Sequence, residues 1–192
     1  MGIGEHTNLL RQWHSGDLSV LNQLMELVYN DLHQRAEQLM RRERPDHTLQ
    51  PAGLLNETYM RLAKAHDLGG SRTQFLANSA HVMRQVLIDH ARKRASEKRG
   101  GAAQWVSIHS GIKGDSDPRL NVIDLEHSLK NLELKDPRKA QVVVLRFFGG
   151  LSLEEVAEQM DLSLATVKRE WVFARTWLYS QLATRPNSSH GS

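Results

Sequence analysis

At 192 residues and a net charge of +3, the chain can bury one moderate hydrophobic core or two small ones, and we expect two. It contains no cysteine, which excludes a disulfide framework, a thiolate metal site and a thiol nucleophile. The N-terminus shows no basic-then-apolar signal and no run of about 18 apolar residues occurs, so the sequence predicts a cytoplasmic protein that does not bind a membrane.

The first predicted element is a long amphipathic helix over residues 17–44. Its apolar residues recur at three- and four-residue steps, which is the spacing of one helix face. A basic cluster precedes Pro45, and the helix ends there because proline does not continue it. A second helix is predicted over residues 52–65, and Gly69 and Gly70 follow it. The apolar positions of the first helix are Leu18, Leu21, Leu24, Met25, Val28, Leu32, Ala36, Leu39 and Met40.

A third helix, predicted over residues 72–99, changes from apolar to basic along its length. Residues 84–104 hold six basic and two acidic side chains, which is a local net charge of +4 (six minus two). Two interpretations stay open. The cluster is either a solvated helix end or a surface that follows a phosphate backbone, where each neutralised phosphate releases a counterion. The six basic residues are Arg84, Arg92, Lys93, Arg94, Lys98 and Arg99.

Residues 104–122 show no apolar periodicity and contain scattered Gly, Ser, Asp and Pro, which predicts a flexible linker. Helix resumes over residues 123–134, breaks at Asp136-Pro137 and returns over residues 138–148. The polar residues 185–192 are expected to be a disordered tail. The sequence therefore predicts an all-α protein of two small helical domains joined by a flexible linker.

Residues 151–178 have the pattern of a helix-turn-helix. Ser152 and Glu155 have the spacing of a capping box, which begins a short helix. A turn of three residues starts at Asp161, where glycine is more usual, although aspartate tolerates a left-handed backbone better than most residues. A second helix follows, and its apolar residues form a single stripe. The stripe consists of Val167, Trp171, Ala174 and Leu178.

The remaining faces of this second helix carry Thr166, Lys168, Arg169 and Arg175. An ordinary helical hairpin with solvated basic residues is the alternative. The short, acidic first helix, the three-residue turn and the polar groups near the start of the second helix favour a DNA-reading helix instead. Arg169 points away from the buried stripe, so we assign it to bidentate recognition of guanine. Lys168 and Arg175 flank that face and are assigned to phosphate.

Three segments, in order, resemble the extracytoplasmic-function sigma factors of bacterial RNA polymerase, and in particular their ECF-like variant group. RRERPDHTLQPAGLLNETYMRL is similar to the polymerase-docking part of the family's region 2. FLANSAHVMRQVLIDHARKRASEKRGG is similar to the part that reads the minus-ten element. LELKDPRKAQVVVLRFFGGLSLEEVAEQMDLSLATVKREWVFARTWL is similar to region 4, which reads the minus-thirty-five element. The chain departs from many members at Glu170 and Phe173, where further arginines are common.

The resemblance implies a domain order and a set of partners. Residues 1–103 would form region 2, residues 104–122 a linker and residues 123–184 region 4, before the tail of residues 185–192. The partners would be polymerase core, through the clamp helices of its largest subunit and its flap, and promoter DNA; an anti-sigma factor is left open. The residues that would bind the clamp are Leu54, Leu55, Asn56, Glu57, Tyr59 and Arg61.

Two other classes of function compete with this interpretation. An autonomous helix-turn-helix repressor or activator would share residues 151–178 but should form dimers on a palindromic site. An enzyme is suggested by ten histidines and by the neighbours Asp89 and His90. Neighbours on a helix point about 100° apart, however, and no metalloprotease, phosphate-loop or serine-elbow motif occurs. We therefore expect no enzymatic activity and no cofactor.

Overall fold

The computed structural model of the chain describes residues 8–10, 12, 17–40, 49–68, 70–97, 105–107 and 119–183. Within these ranges the protein is all-α, as predicted, apart from one short β-ribbon. A helical segment at residues 8–10 precedes the main elements. The main elements are α1 (Leu18–Met40), α2 (Pro51–Leu62), α3 (Arg72–Glu97), β1 (Trp105–Ser107), β2 (Arg119–Asn121), α4 (Val122–Lys135), α5 (Pro137–Val143), a π-helical turn (Val144–Phe148), α6 (Leu153–Met160) and α7 (Leu164–Ala183).

The first three helices pack in sequence, α1 on α2 and α2 on α3. Asp17 begins α1, because its Oδ1 accepts hydrogen bonds from the backbone N–H groups of Ser19 at 3.0 Å and Val20 at 3.3 Å. Pro51 begins α2 in the first turn, where the N–H that proline lacks would have no helical partner. The basic end predicted for the first helix, within residues 41–48, lies outside the described residues.

The predicted break at Asp136-Pro137 is confirmed. Asp136 lies between α4 and α5 and caps α5 by accepting a hydrogen bond from the backbone N–H of Lys139 at 3.1 Å. The Lys139 ammonium group also forms an ion pair with Asp136, and the hydrogen bonds from the Lys139 side chain and backbone lower the pKa of the Asp136 carboxyl. This cap fixes the direction in which α5 approaches the helix-turn-helix.

The predicted linker contains regular structure at both ends. Strands β1 and β2 pair antiparallel, with Trp105 opposite Asn121 and Ser107 opposite Arg119, and β1 lies beside α1. The two strands therefore lie inside the predicted linker, residues 108–118 lie outside the described residues, and the flexibility of the linker stays a prediction. Three-residue strands are too short to show the alternation by which a strand is predicted.

Within the described ranges the buried apolar residues form one contiguous core that includes residues of both predicted domains, and the boundaries of those domains stay a prediction. Helix α3 is the shared element, because it packs on α2 and also on α4, α6 and the π-helical turn. Gly149 allows this close approach: a Cβ atom there would lie 2.9 Å from the Cβ of Ala80 and 2.7 Å from the carbonyl oxygen of Leu145. Length and composition do not distinguish one core from two smaller ones.

Candidate nucleic-acid interface

The helix-turn-helix is formed by α6, a tight turn and α7. The capping box is complete: Glu155 N–H donates to the Ser152 hydroxyl at 3.0 Å, and Ser152 N–H donates to the Glu155 carboxylate at 2.7 Å. Asp161 ends α6 in the left-handed conformation, with φ 52° and ψ 49°. Ser163 then begins α7, because its hydroxyl accepts a hydrogen bond from Thr166 N–H at 3.1 Å. The capping box and the turn at Asp161 were both predicted from the sequence.

The predicted stripe on α7 is buried, and a half-buried arginine packs against it. Val167, Trp171, Ala174 and Leu178 are 0% to 7% exposed. Arg146 stacks its guanidinium over the Trp171 ring at 5.4 Å and donates to the carbonyl oxygen of Leu151. Burial lowers the pKa of Arg146. The stripe and Arg146 together set the rotation of α7 about its axis and so decide which residues face outward.

The outward face of α7 carries two of the predicted DNA-binding residues without an obstruction. Lys168 and Arg169 are exposed. Thr166 is half-buried, and its hydroxyl lies 2.9 Å from that of Ser163. Arg175 is also half-buried and stacks over the Tyr179 ring at 5.5 Å. The geometry therefore leaves Arg169 and Lys168 most accessible to a ligand at the start of α7.

The same face carries apolar residues that the sequence analysis did not assign to a site. Val172 is 63% exposed and Phe173 is 53% exposed. They line a shallow groove of about 720 Å³ with Lys168, Arg169, Thr176, Trp177 and Ser180. The sequence did contain a signal for this exposure, because both positions lie outside the buried stripe. An apolar residue on a helix is normally assigned to the core, however.

Glu170, like Phe173, is a position where the chain departs from many members of the family that it resembles, and its side chain contacts helix α5. Glu170 is only 5% exposed and forms an ion pair with Arg138 of α5. Lys139 of the same helix lies over the Phe173 ring, with its Nζ 5.2 Å from the ring centroid. Glu170 thus joins α5 to α7 instead of facing a ligand, and basic groups of α5 border the outward face of α7.

The basic end of α3 divides into residues with different surroundings. Arg92 and Lys93 are exposed and Arg94 is half-buried. Arg84 was predicted to bind DNA, but its side chain is only 11% exposed and pairs with Glu126 of α4 at 2.9 Å. In this structure the guanidinium is bound to a buried carboxylate of the same chain, and a DNA contact by Arg84 stays a prediction. Lys98 and Arg99, the remaining members of the predicted cluster, lie outside the described residues.

The six residues predicted to bind polymerase also divide into groups. Leu54 and Leu55 are 0% and 4% exposed, so they pack in the core and Leu54 presents nothing to a partner. Tyr59 is half-buried and donates to the Asn22 side chain at 2.8 Å. Asn56 is exposed and borders a groove of about 550 Å³ between α1 and α2, whose floor includes Leu55. This groove brings Asn56 and Tyr59 together.

Glu57 and Arg61, the other two members, each have a partner within the chain. Glu57 Oε1 lies 2.7 Å from Nε2 of His90, and Arg61 donates to Asp89 at 2.8 Å. These contacts tie α2 to α3. They also show that the sequence neighbours Asp89 and His90 contact different residues, Arg61 and Glu57, and do not pair with each other as a catalytic pair would.

Within the described ranges, no group of three or more His, Cys, Asp or Glu side chains is arranged to hold a metal ion. None of the helices in the same ranges is long and apolar enough to cross a membrane.

A family model described as "ECF sigma factor" matches residues 3–184, nearly the whole chain. No curated protein matches the sequence.

Proposed function

The chain belongs to the family of ECF sigma factors, and from this premise we propose which of its surfaces bind promoter DNA and which bind RNA polymerase. As a member, it is a sigma factor of RNA polymerase, with polymerase core and promoter DNA as its partners. Its action is to direct core polymerase to particular promoters, without chemistry or a cofactor of its own. The proposed site of action is the cytoplasm, where polymerase and promoters are.

The first proposal is that α7 enters the major groove of the minus-thirty-five element. The observation that carries it is the position of Arg169, which is exposed on the side of α7 opposite the buried stripe. A recognition helix contacts base edges with its N-terminal residues, and Arg169 lies within the first two turns of α7. Arginine donates two parallel hydrogen bonds to guanine, a contact worth roughly 1–3 kcal/mol of discrimination. Lys168 is exposed beside it and is assigned to phosphate, with Thr166 and Arg175 at the edges of the surface.

In vitro transcription with promoters that differ by single bases tests this assignment. Arg169→Ala should relax base preference at one position of the minus-thirty-five element. Lys168→Ala should weaken all promoters alike and flatten the salt dependence, because it removes a phosphate contact. If Lys168→Ala changes base preference while Arg169→Ala lowers every promoter by one factor, the two roles are reversed.

The second proposal concerns the minus-ten element and the exposed end of α3. Arg92 and Lys93 are exposed, and Arg94 lies beside them. Exposed basic side chains attract the phosphates of an opened duplex, and bases that leave the stack are held by such basic surfaces. Lys98 and Arg99 continue the same basic run in the sequence. Permanganate footprinting of the opened promoter should show loss of opening in Arg92→Ala,Lys93→Ala; unchanged opening would contradict the proposal.

The third proposal is that polymerase core docks at the groove between α1 and α2. Asn56 is exposed at its edge and Tyr59 is half-buried in its wall, and Met60, which is 52% exposed, follows on the outer face of α2. Glu57 and Arg61 contribute by fixing α2 on α3. Asn56→Ala removes an exposed group without disturbing the Glu57 and Arg61 contacts, so weaker co-purification with polymerase core is the expected result. Retention equal to that of the unaltered chain would exclude Asn56 from the docking surface.

A further inference from the structure

The outward face of α7 combines apolar side chains with a positive border. Val172 and Phe173 are 63% and 53% exposed, and they lie on the same face as Arg169. Exposed apolar residues next to each other on the outward face of a helix indicate a ligand with apolar groups of its own.

The charges around this apolar surface indicate what kind of ligand it is. Lys168 and Arg169 lie on one side of it. On the other side, Lys139 lies 5.2 Å from the centroid of the Phe173 ring, and Lys135 lies 5.6 Å from that of Trp177. A polyanion is favoured by such a border, whereas a neutral apolar helix would gain nothing from it. Duplex DNA is a polyanion whose major groove also displays apolar groups, the C5-methyl groups of thymine.

The spacing along α7 fits adjacent contacts in one groove. Residues 169 and 173 are four positions apart, which is about 6 Å of helix rise. Base pairs are about 3.4 Å apart along each strand. With α7 in the groove, Phe173 therefore lies about two base pairs from the position that Arg169 contacts, and Val172 lies on the other side of the helix midline.

We propose that Phe173 and Val172 are specificity residues that contact thymine C5-methyl groups in the minus-thirty-five element, next to the base pair contacted by Arg169. This inference rests on the proposed placement of α7 in the major groove. It also explains how α7 reads a base at Phe173, a position where the family more often has arginine. This chain replaces hydrogen bonds to base edges with methyl contacts there.

The test uses the holoenzyme formed with the full chain and a promoter that is first selected by this holoenzyme from a random library. Each thymine of the minus-thirty-five element is then replaced singly by uracil, which removes the methyl group and leaves every hydrogen-bonding group in place. At one or two positions, uracil should weaken binding by about fourfold, the factor that corresponds to roughly 0.8 kcal/mol for one buried methyl-sized group. Phe173→Ala or Val172→Ala should abolish this difference between thymine and uracil at its own position.

Controls separate this inference from the proposal on which it rests. Leu18→Ala is the matched control, because Leu18 is 50% exposed and belongs to α1; it should leave the thymine preference unchanged. If uracil has no effect while Arg169→Ala still changes base preference, α7 is in the groove but the methyl contacts are wrong. When neither uracil nor Arg169→Ala has any effect, the placement of α7 itself is wrong. Equal weakening of thymine and uracil promoters by Phe173→Ala also overturns the inference, since it indicates a protein partner at this face.

Discussion

Asp161 shows how far a single residue can be predicted. Among the described residues it is the non-glycine residue with positive φ, and it lies at the turn between α6 and α7. The sequence indicated both the turn and the strain, because aspartate follows a capped helix of suitable length at a position where glycine is usual. Exposure at Val172 and Phe173 was not predictable in the same way. Their exposure depends on the rotation of α7 about its axis. That rotation is set by contacts with α5 and Arg146, which are distant from α7 in the sequence.

Substitution of Asp161 should therefore change stability in a definite order. Asp161→Ala places a Cβ with no compensating polar group in the left-handed region and should lower the free energy of unfolding by roughly 1 kcal/mol. Asp161→Gly should have no cost or raise it by up to about 1 kcal/mol, because relief of the strained conformation offsets the greater freedom of glycine in the unfolded chain. Urea unfolding measures both. An alanine variant as stable as the glycine variant would contradict the left-handed conformation at this turn.

At the scale of helices, the sequence predicted which segments are helical but not how α5 meets α7. Periodicity identified the stripe from Val167 to Leu178 because these residues repeat at helical spacing. It gave no sign that Glu170 is buried, since charged residues next to a stripe are usually exposed. The burial of Glu170 follows from Arg138 of α5, which pairs with it. Helix α5 is in turn positioned by the Asp136 cap, so the face that α7 presents depends on two helices.

The contact between Arg138 and Glu170 should be visible in thermodynamic measurements. Arg138→Ala leaves a carboxylate that is 5% exposed without this ion pair, and we expect a loss of roughly 2–3 kcal/mol in the free energy of unfolding. Because the Arg138 side chain is 54% exposed, we expect this loss of stability to lie at or below the lower end of the range for fully buried ion pairs. Adding Glu170→Gln to Arg138→Ala should restore part of the loss, because a neutral amide is less costly to bury than a charge. If the double variant is less stable than Arg138→Ala, the carboxylate has another partner that the amide does not replace.

At the scale of the whole molecule, α3 joins what the sequence predicted as two separate domains. The domain boundaries followed from a change in composition around residues 104–122, and composition gives no information about packing between the segments on either side. Two features of the structure provide that packing: Gly149, which lets the π-helical turn approach Ala80, and the ion pair between Arg84 and Glu126. Neither contact could be predicted from the sequence alone, because the contacting residues are 42 or more positions apart. Because the core is contiguous, we expect the described helices to unfold together in one cooperative transition.

Stability measurements on the pair formed by Arg84 and Glu126 can distinguish two roles for Arg84, an ion pair within the chain and a contact with DNA. The Arg84 side chain is 11% exposed and that of Glu126 is 9% exposed, so removal of the guanidinium leaves a buried carboxylate whose remaining basic neighbour, among the described residues, is Lys130 at 3.6 Å. Arg84→Ala should therefore lower the free energy of unfolding by roughly 2–4 kcal/mol, and a double-mutant cycle with Glu126→Ala should give a coupling of about 1 kcal/mol or more. Arg92→Ala, at an exposed position of the same helix, is the control and should change stability by less than about 0.5 kcal/mol. Should Arg84→Ala leave stability unchanged while it weakens binding to the minus-ten element, Arg84 binds DNA as the sequence suggested, and its pairing with Glu126 does not hold the two segments together.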